Sequence, residues 1–170
     1  MFKVGDLIIY SGQGICRIDE ICEKTYLGCT RSYYVLHPIE NCDLEISIPI
    51  DNDKVIMLQL IDKDKAEEII ESFKLPGIDW IDKANQRVYR YSSIVKTGDR
   101  KEVSMITNTL MREKIKIENV GKKFDERDRK LLSYIQNILF AELAISLNTT
   151  FEAIHEKIIE YIRENDIEKL

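Results

Sequence analysis

Proline and glycine are scarce, with 3 and 7 residues in a chain of 170. That excludes collagen-like and low-complexity sequence. Cysteine occurs four times, at Cys16, Cys22, Cys29 and Cys42, and never as Cys-x-x-Cys, so the usual spacing of zinc ligands is missing. Histidine occurs only as His37 and His155. The sequence holds no P-loop, no Gly-x-Gly-x-x-Gly and no Gly-x-Ser-x-Gly. A Cys16–His37 nucleophile pair can be written down, but nothing else supports it, so buried thiols are the expectation. Neither an enzyme nor a metal or other cofactor is expected. No apolar run approaches the ~18 residues that cross a bilayer. The opening Met1-Phe2-Lys3-Val4-Gly5-Asp6 has no signal-peptide core, so a cytoplasmic protein without a membrane partner is expected.

Apolar residues are not lacking. They make up 44% of the chain and charged residues 32%, enough to build a core. The net charge of -5 conceals a division. Residues 1–75 carry 8 Lys+Arg against 14 Asp+Glu, residues 76–136 carry 14 against 9, and residues 137–170 carry 3 against 7. A basic block between acidic flanks is where a polyanion would be met.

The chain changes texture near residue 60. Before it, Leu7-Ile8-Ile9-Tyr10, the stretch Ile15 to Ile21, Tyr33-Tyr34-Val35-Leu36, Glu45-Ile46-Ser47-Ile48 and Val55-Ile56-Met57-Leu58 read as short strands between turn residues. Five such strands suggest a small SH3-like β barrel. After it the period turns helical. Asp62 opens a first helix bearing Ala66, Ile69, Ile70 and Phe73, and a second runs from about Asp79 to Lys96. Asp99 to Glu102 fits a capping box for a third, burying Val103, Ile106 and Leu110. Asp125 starts a fourth, striped by Leu132, Ile135, Leu139 and Leu143. Thr149 to Glu152 caps a fifth, with Ile154, Ile158 and Ile162. The fold class is therefore α+β, a barrel over 1–60 followed by a helical bundle over 61–170.

Two cationic clusters mark the candidate polyanion site. Lys83, Arg87 and Arg90 are spaced to share one helix face. Lys122, Lys123, Arg127, Arg129 and Lys130 sit at the start of the fourth helix, whose N–H groups could also hold a phosphate. The plainer alternative is a solvated face with local partners among Asp82, Asp125, Glu126 and Asp128. Trp80, the single tryptophan, stands at a loop-to-helix junction. It is either a core anchor or an apolar wedge beside a basic face.

An ordered set of motifs spans the chain. Phe2-Lys3-Val4-Gly5-Asp6 with Tyr10 and Gly14 comes first, then Tyr33-Tyr34-Val35-Leu36 and Ile48-Pro49. Trp80, Thr97-Gly98-Asp99 and Phe140-Ala141-Glu142-Leu143-Ala144 follow. With these the sequence resembles the CarD family (also CdnL) of bacterial RNA polymerase-binding transcription regulators, in its clostridial-type form. The resemblance implies a Tudor-like N-terminal domain that takes the polymerase β subunit through an edge strand. It implies helices that meet promoter DNA at the upstream edge of the bubble, without sequence specificity, with Trp80 as a minor-groove wedge. The result would be an altered open-complex stability. Relatives carry basic residues on two barrel strands; Lys24 retains one, Ser47 stands at the other, and Arg31 is the candidate substitute. A monomer, located with polymerase at the nucleoid, is the accompanying expectation. The competing function is a protein-only adaptor, without DNA contact.

Overall fold

The computed structural model describes residues 1–10 and 12–167. The chain divides into two compact units, Met1–Leu60 and Ile61–Leu170.

The first unit is built from β1 (Leu7–Tyr10), β2 (Gly14–Tyr26), β3 (Cys29–Pro38), β4 (Ile46–Pro49) and β5 (Met57–Gln59). They form one antiparallel sheet in the order β4-β3-β2-β1-β5. Period-two alternation sends one set of side chains inward. Ile8 is paired with Cys16, Ile18 with Leu36 and Tyr34 with Ile48. These six residues form the buried core of a small Tudor-like unit, closed over by Phe2, Tyr10 and Met57. The β2–β3 hairpin runs further than its apolar residues suggest. It turns at Leu27 (φ 51°) and Gly28 (φ 76°), two left-handed residues of the kind that tight hairpins require.

The cysteines depart from expectation. Only Cys16 is buried, while Cys29 and Cys42 are exposed and Cys22 is half-buried. Burial pushes the Cys16 thiol up to about 11, so it is a poor nucleophile. Nor does it pair with His37, whose Nδ1 lies 2.5 Å from Asp19 Oδ2.

The second unit contains α1 (Lys63–Glu71), a 3-10 turn (Ser72–Lys74), α2 (Ala84–Val95), α3 (Arg100–Asn119), α4 (Glu126–Ser146) and α5 (Phe151–Ile167). Three helices begin on the carboxylates read as caps. Asp62 accepts from Lys65 N (2.8 Å), Asp99 from Glu102 N (3.0 Å) and Asp125 from Arg127 N (2.9 Å). The fifth cap is Thr150 rather than Thr149; its Oγ1 accepts from Ala153 N at 3.1 Å. One core unites the predicted stripes: Ile69, Ile70 and Phe73 of the first helical stretch, Ile106 and Leu110 of α3, Leu139 and Leu143 of α4, and Ile158 and Ile162 of α5.

Glu142 lies inside this unit, 1% exposed. It accepts from Arg100 Nε (3.1 Å) and Nη2 (3.0 Å) and from Ile61 N (3.0 Å). Arg100 also donates to Gly98 O. A buried carboxylate with several charge-assisted donors is a satisfied one. Thus Glu142 joins α4 both to the start of α3 and to the point where the chain enters the bundle.

Candidate functional site

Trp80 lies on the segment between the 3-10 turn and α2, and that segment is held by polar side chains rather than by its own regular structure. Asn108 Nδ2 donates to Leu75 O (2.7 Å), and Arg112 Nη2 donates to Phe73 O (3.0 Å). Thr109 Oγ1 accepts from Ile78 N (2.8 Å) and lies 2.9 Å from Ile78 O. Tyr91 OH donates to Asp79 O at 3.0 Å. All four side chains belong to residues that are buried in the bundle. Gly77 lets the segment lie directly on α3: a Cβ there would meet Thr109 Oγ1 at 2.1 Å, Met105 O at 2.7 Å and Thr109 N at 2.9 Å.

The indole is half-buried, packed against the edge of the core, and the Arg87 guanidinium lies 3.8 Å from its ring centroid. Arg87 itself is only 4% exposed. Its Nε and Nη2 bind both oxygens of Asp128, and its Nη1 donates to the carbonyls of Ile81 and Asp82. The sequence reading of Arg87 as a phosphate-binding cation is therefore corrected. Its charge is matched by a fully buried carboxylate, and its planar face supports the tryptophan. The same bonds explain why α2 begins at Ala84 rather than near Asp79. The Ile81 and Asp82 carbonyls serve Arg87, so the helical ladder starts only at Lys83 O, which accepts from Arg87 N.

The remaining cations separate into two groups. Arg127 is engaged by Asp125 and also donates to Asn85 Oδ1, while Arg129 faces Glu118 (3.9 Å) and Glu126 (3.6 Å). Among the described residues Lys83, Arg90, Lys122, Lys123 and Lys130 form no ion pair, and all five are exposed. The Arg127–Asn85 and Arg87–Asp128 contacts join the N-terminal ends of α2 and α4. The two clusters separated in sequence are brought to neighbouring helix starts.

The start of α4, whose N–H groups the sequence offered to a phosphate, is crowded by acids. Asp125 caps it and Glu126 and Asp128 fill its first turn. The Arg127 hydrogen bond holds the Asp125 carboxyl down to about 2, so the cap stays charged until pH falls to that range. The start of α2 has the opposite character. Lys83 gives no side-chain cap, the first turn holds no acid, and residues 83–97 contain no Asp or Glu at all.

In the first unit, Lys24 and Arg31 face one another across the β2–β3 ladder, and Ser47 lies on the same face of β4, an edge strand. Lys24 Nζ donates to Ser47 Oγ at 2.7 Å and sits 3.7 Å from Glu45. Arg31 is exposed, its guanidinium pKa raised first by a hydrogen bond with Cys29 and then by Asp51. The three residues singled out on the barrel thus form one patch.

Comparison with family models covers both units. The CarD-like/TRCF RID domain matches residues 2–61, and the CarD C-terminal domain matches residues 68–159. The chain belongs to the CarD family. Its first unit is the RNA polymerase-interacting domain of a CarD protein, and RNA polymerase is its partner. CarD proteins are non-enzymatic transcription factors, and this one is a polymerase-interacting transcription regulator.

Sequence reasoning missed the residues that brace the Trp80 segment in this CarD chain, Gly77, Asn108, Thr109 and Arg112, and named Asp128 only as one of four acidic partners open to the cationic clusters. One signal was present. Ser104, Asn108 and Arg112 recur every fourth residue beside the apolar stripe of α3, a polar line that a wholly solvated helix face does not require.

Proposed function

We propose that this CarD protein docks on the polymerase β subunit through the Lys24–Arg31–Ser47 face and edge strand β4. Its helical unit would then hold promoter DNA at the upstream edge of the bubble. The protein acts without catalysis, as a monomer in the cytoplasm, where polymerase carries it to the nucleoid. One observation carries the DNA half: Trp80 rests half-exposed on the Arg87–Asp128 pair beside an uncapped, acid-free helix start. A rigidly backed indole can enter a widened minor groove, while free lysines and Arg90 meet phosphates. Contacts made only with the melted, kinked duplex, the indole wedge among them, would shift the closed–open equilibrium. A differential contact of ~1.4 kcal/mol changes that ratio about tenfold.

Binding to a forked promoter duplex tests this. With three to five phosphate contacts, log K should fall against log salt with a slope of about -3 to -4.5. Trp80→Ala should leave the slope unchanged while lowering affinity and open-complex lifetime. A folded Trp80→Ala variant with wild-type DNA affinity and transcription would favour the protein-only adaptor.

The polymerase half has its own test. Lys24→Glu places a second carboxylate beside Glu45 and reverses the charge offered to an acidic partner. Capture of polymerase by the full chain should weaken about tenfold or more. Ser47→Arg restores a cation on the same face and should strengthen it. Unchanged capture by Lys24→Glu would remove this face from the interface.

A further inference from the structure

A second feature of α2 is left unused by the wedge. Gln86, Tyr89, Arg90, Ser93 and Ile94 follow one another at helical spacing, and with Ile81 they line an open groove of about 610 Å³. Tyr89 is 78% exposed, the most exposed of the large hydrophobic side chains described in this unit. No acid lines the groove, and its one charge is Arg90, which has no ion-pair partner among the described residues. Ser93 donates its hydroxyl to Tyr89 O (3.0 Å) within the helix, so Gln86, Arg90 and the Tyr89 hydroxyl are left as the polar groups for a ligand. At its upper end the groove reaches Ile81, the residue after Trp80, whose carbonyl is held by Arg87.

We propose that this groove receives one unpaired base of forked DNA. The base lies against Tyr89, between the apolar side chains of Ile81 and Ile94. The Gln86 amide meets its polar edge and Arg90 meets the adjoining phosphate. The chemistry matches a nucleotide better than a peptide: one aromatic face, two aliphatic walls, one amide and one cation, on a helix with no negative charge. The assignment deepens the wedge role and depends on DNA being the ligand of that surface. An indole that parts a duplex leaves a neighbouring base without its partner, and the groove begins one residue away.

The test measures binding of the full chain to forked duplexes by fluorescence anisotropy. In one fork every base is present; in others the first unpaired nucleotide of either strand is abasic. Tyr89→Ala should weaken binding to the intact fork about five- to tenfold. The same substitution should not change binding to the fork whose abasic site removes the docked base. Tyr89→Phe should bind as the wild type does, and Arg90→Ala should weaken all forks. Wild-type affinity of Tyr89→Ala for the intact fork, with Trp80→Ala impaired, would overturn the groove and leave the wedge standing. Failure of the wild-type protein to bind any fork would overturn both.

Discussion

Asp128→Ala is expected to lower the stability of the helical unit by about 3–5 kcal/mol, because it strands the Arg87 guanidinium in the interior without its counter-charge. Asp128 is 0% exposed and Arg87 4%, so water cannot replace the lost carboxylate cheaply. Thermal unfolding should move down by on the order of 10–20 °C. Replacing both partners with apolar residues, Arg87→Met with Asp128→Leu, should recover much of that loss, since no buried charge is left unpaired. The recovery should be confined to stability. The double variant keeps Lys83, Arg90, Lys122, Lys123 and Lys130, yet the indole has lost its planar support and the Ile81 and Asp82 carbonyls their donor. DNA affinity should therefore stay low in a well-folded protein. If the double variant bound forked DNA as the wild type does, the pair would be a packing element alone. If Asp128→Ala unfolded at the wild-type temperature, the buried pair would contribute nothing.

Gly77→Ala is expected to have the next largest effect. The added methyl would stand 2.7 Å from Met105 O and 2.9 Å from Thr109 N, both backbone atoms of a twenty-residue helix rather than the ends of flexible side chains. The segment must lift instead, and the two Ile78–Thr109 contacts break with it. Overpacking of this kind costs about 1–3 kcal/mol, measurable as a lower urea midpoint with an unchanged m-value. Trp80 is three residues away, so its fluorescence should shift and its affinity for forked DNA should fall, although no charge has been altered. Thr109→Ser, which keeps the hydroxyl, should leave both properties intact. A Gly77→Ala protein with wild-type stability and emission would show that the close approach is relaxed in solution.

Much of the architecture was legible because it rests on short-range signals. Asp62, Asp99 and Asp125 announce helix starts by the chemistry of their side chains, and the stripes at 103, 106 and 110 or at 154, 158 and 162 repeat with the helical period. The outer β2–β3 ribbon was not legible, because none of residues 22–26 and 29–32 is fully buried and they carry no apolar alternation to reveal a strand. The start of α2 was misplaced for a different reason. Arg87 and Asp128 are 41 positions apart, and only their pairing explains why two carbonyls that would begin a helix do not. For the basic clusters, sequence could not separate a cation with a buried partner from one facing solvent. Spacing placed Arg87 with Lys83 and Arg90; the fold turns it inward beneath the tryptophan.

The bracing of the tryptophan segment has an evolutionary consequence. Asn108, Thr109, Arg112 and Tyr91 grip main-chain carbonyls and an amide between residues 73 and 79, and Arg87 holds the carbonyls of Ile81 and Asp82, so that apart from the Trp80 ring no side chain of the segment is needed for the grip. Every amino acid offers the same carbonyl. Leu75, Asp79 and Asp82 are exposed and can drift freely, provided Gly77 stays small. The aromatic residue can thus be held in a constant pose while its immediate neighbours vary, much of the constraint having been moved onto α3, some thirty positions downstream.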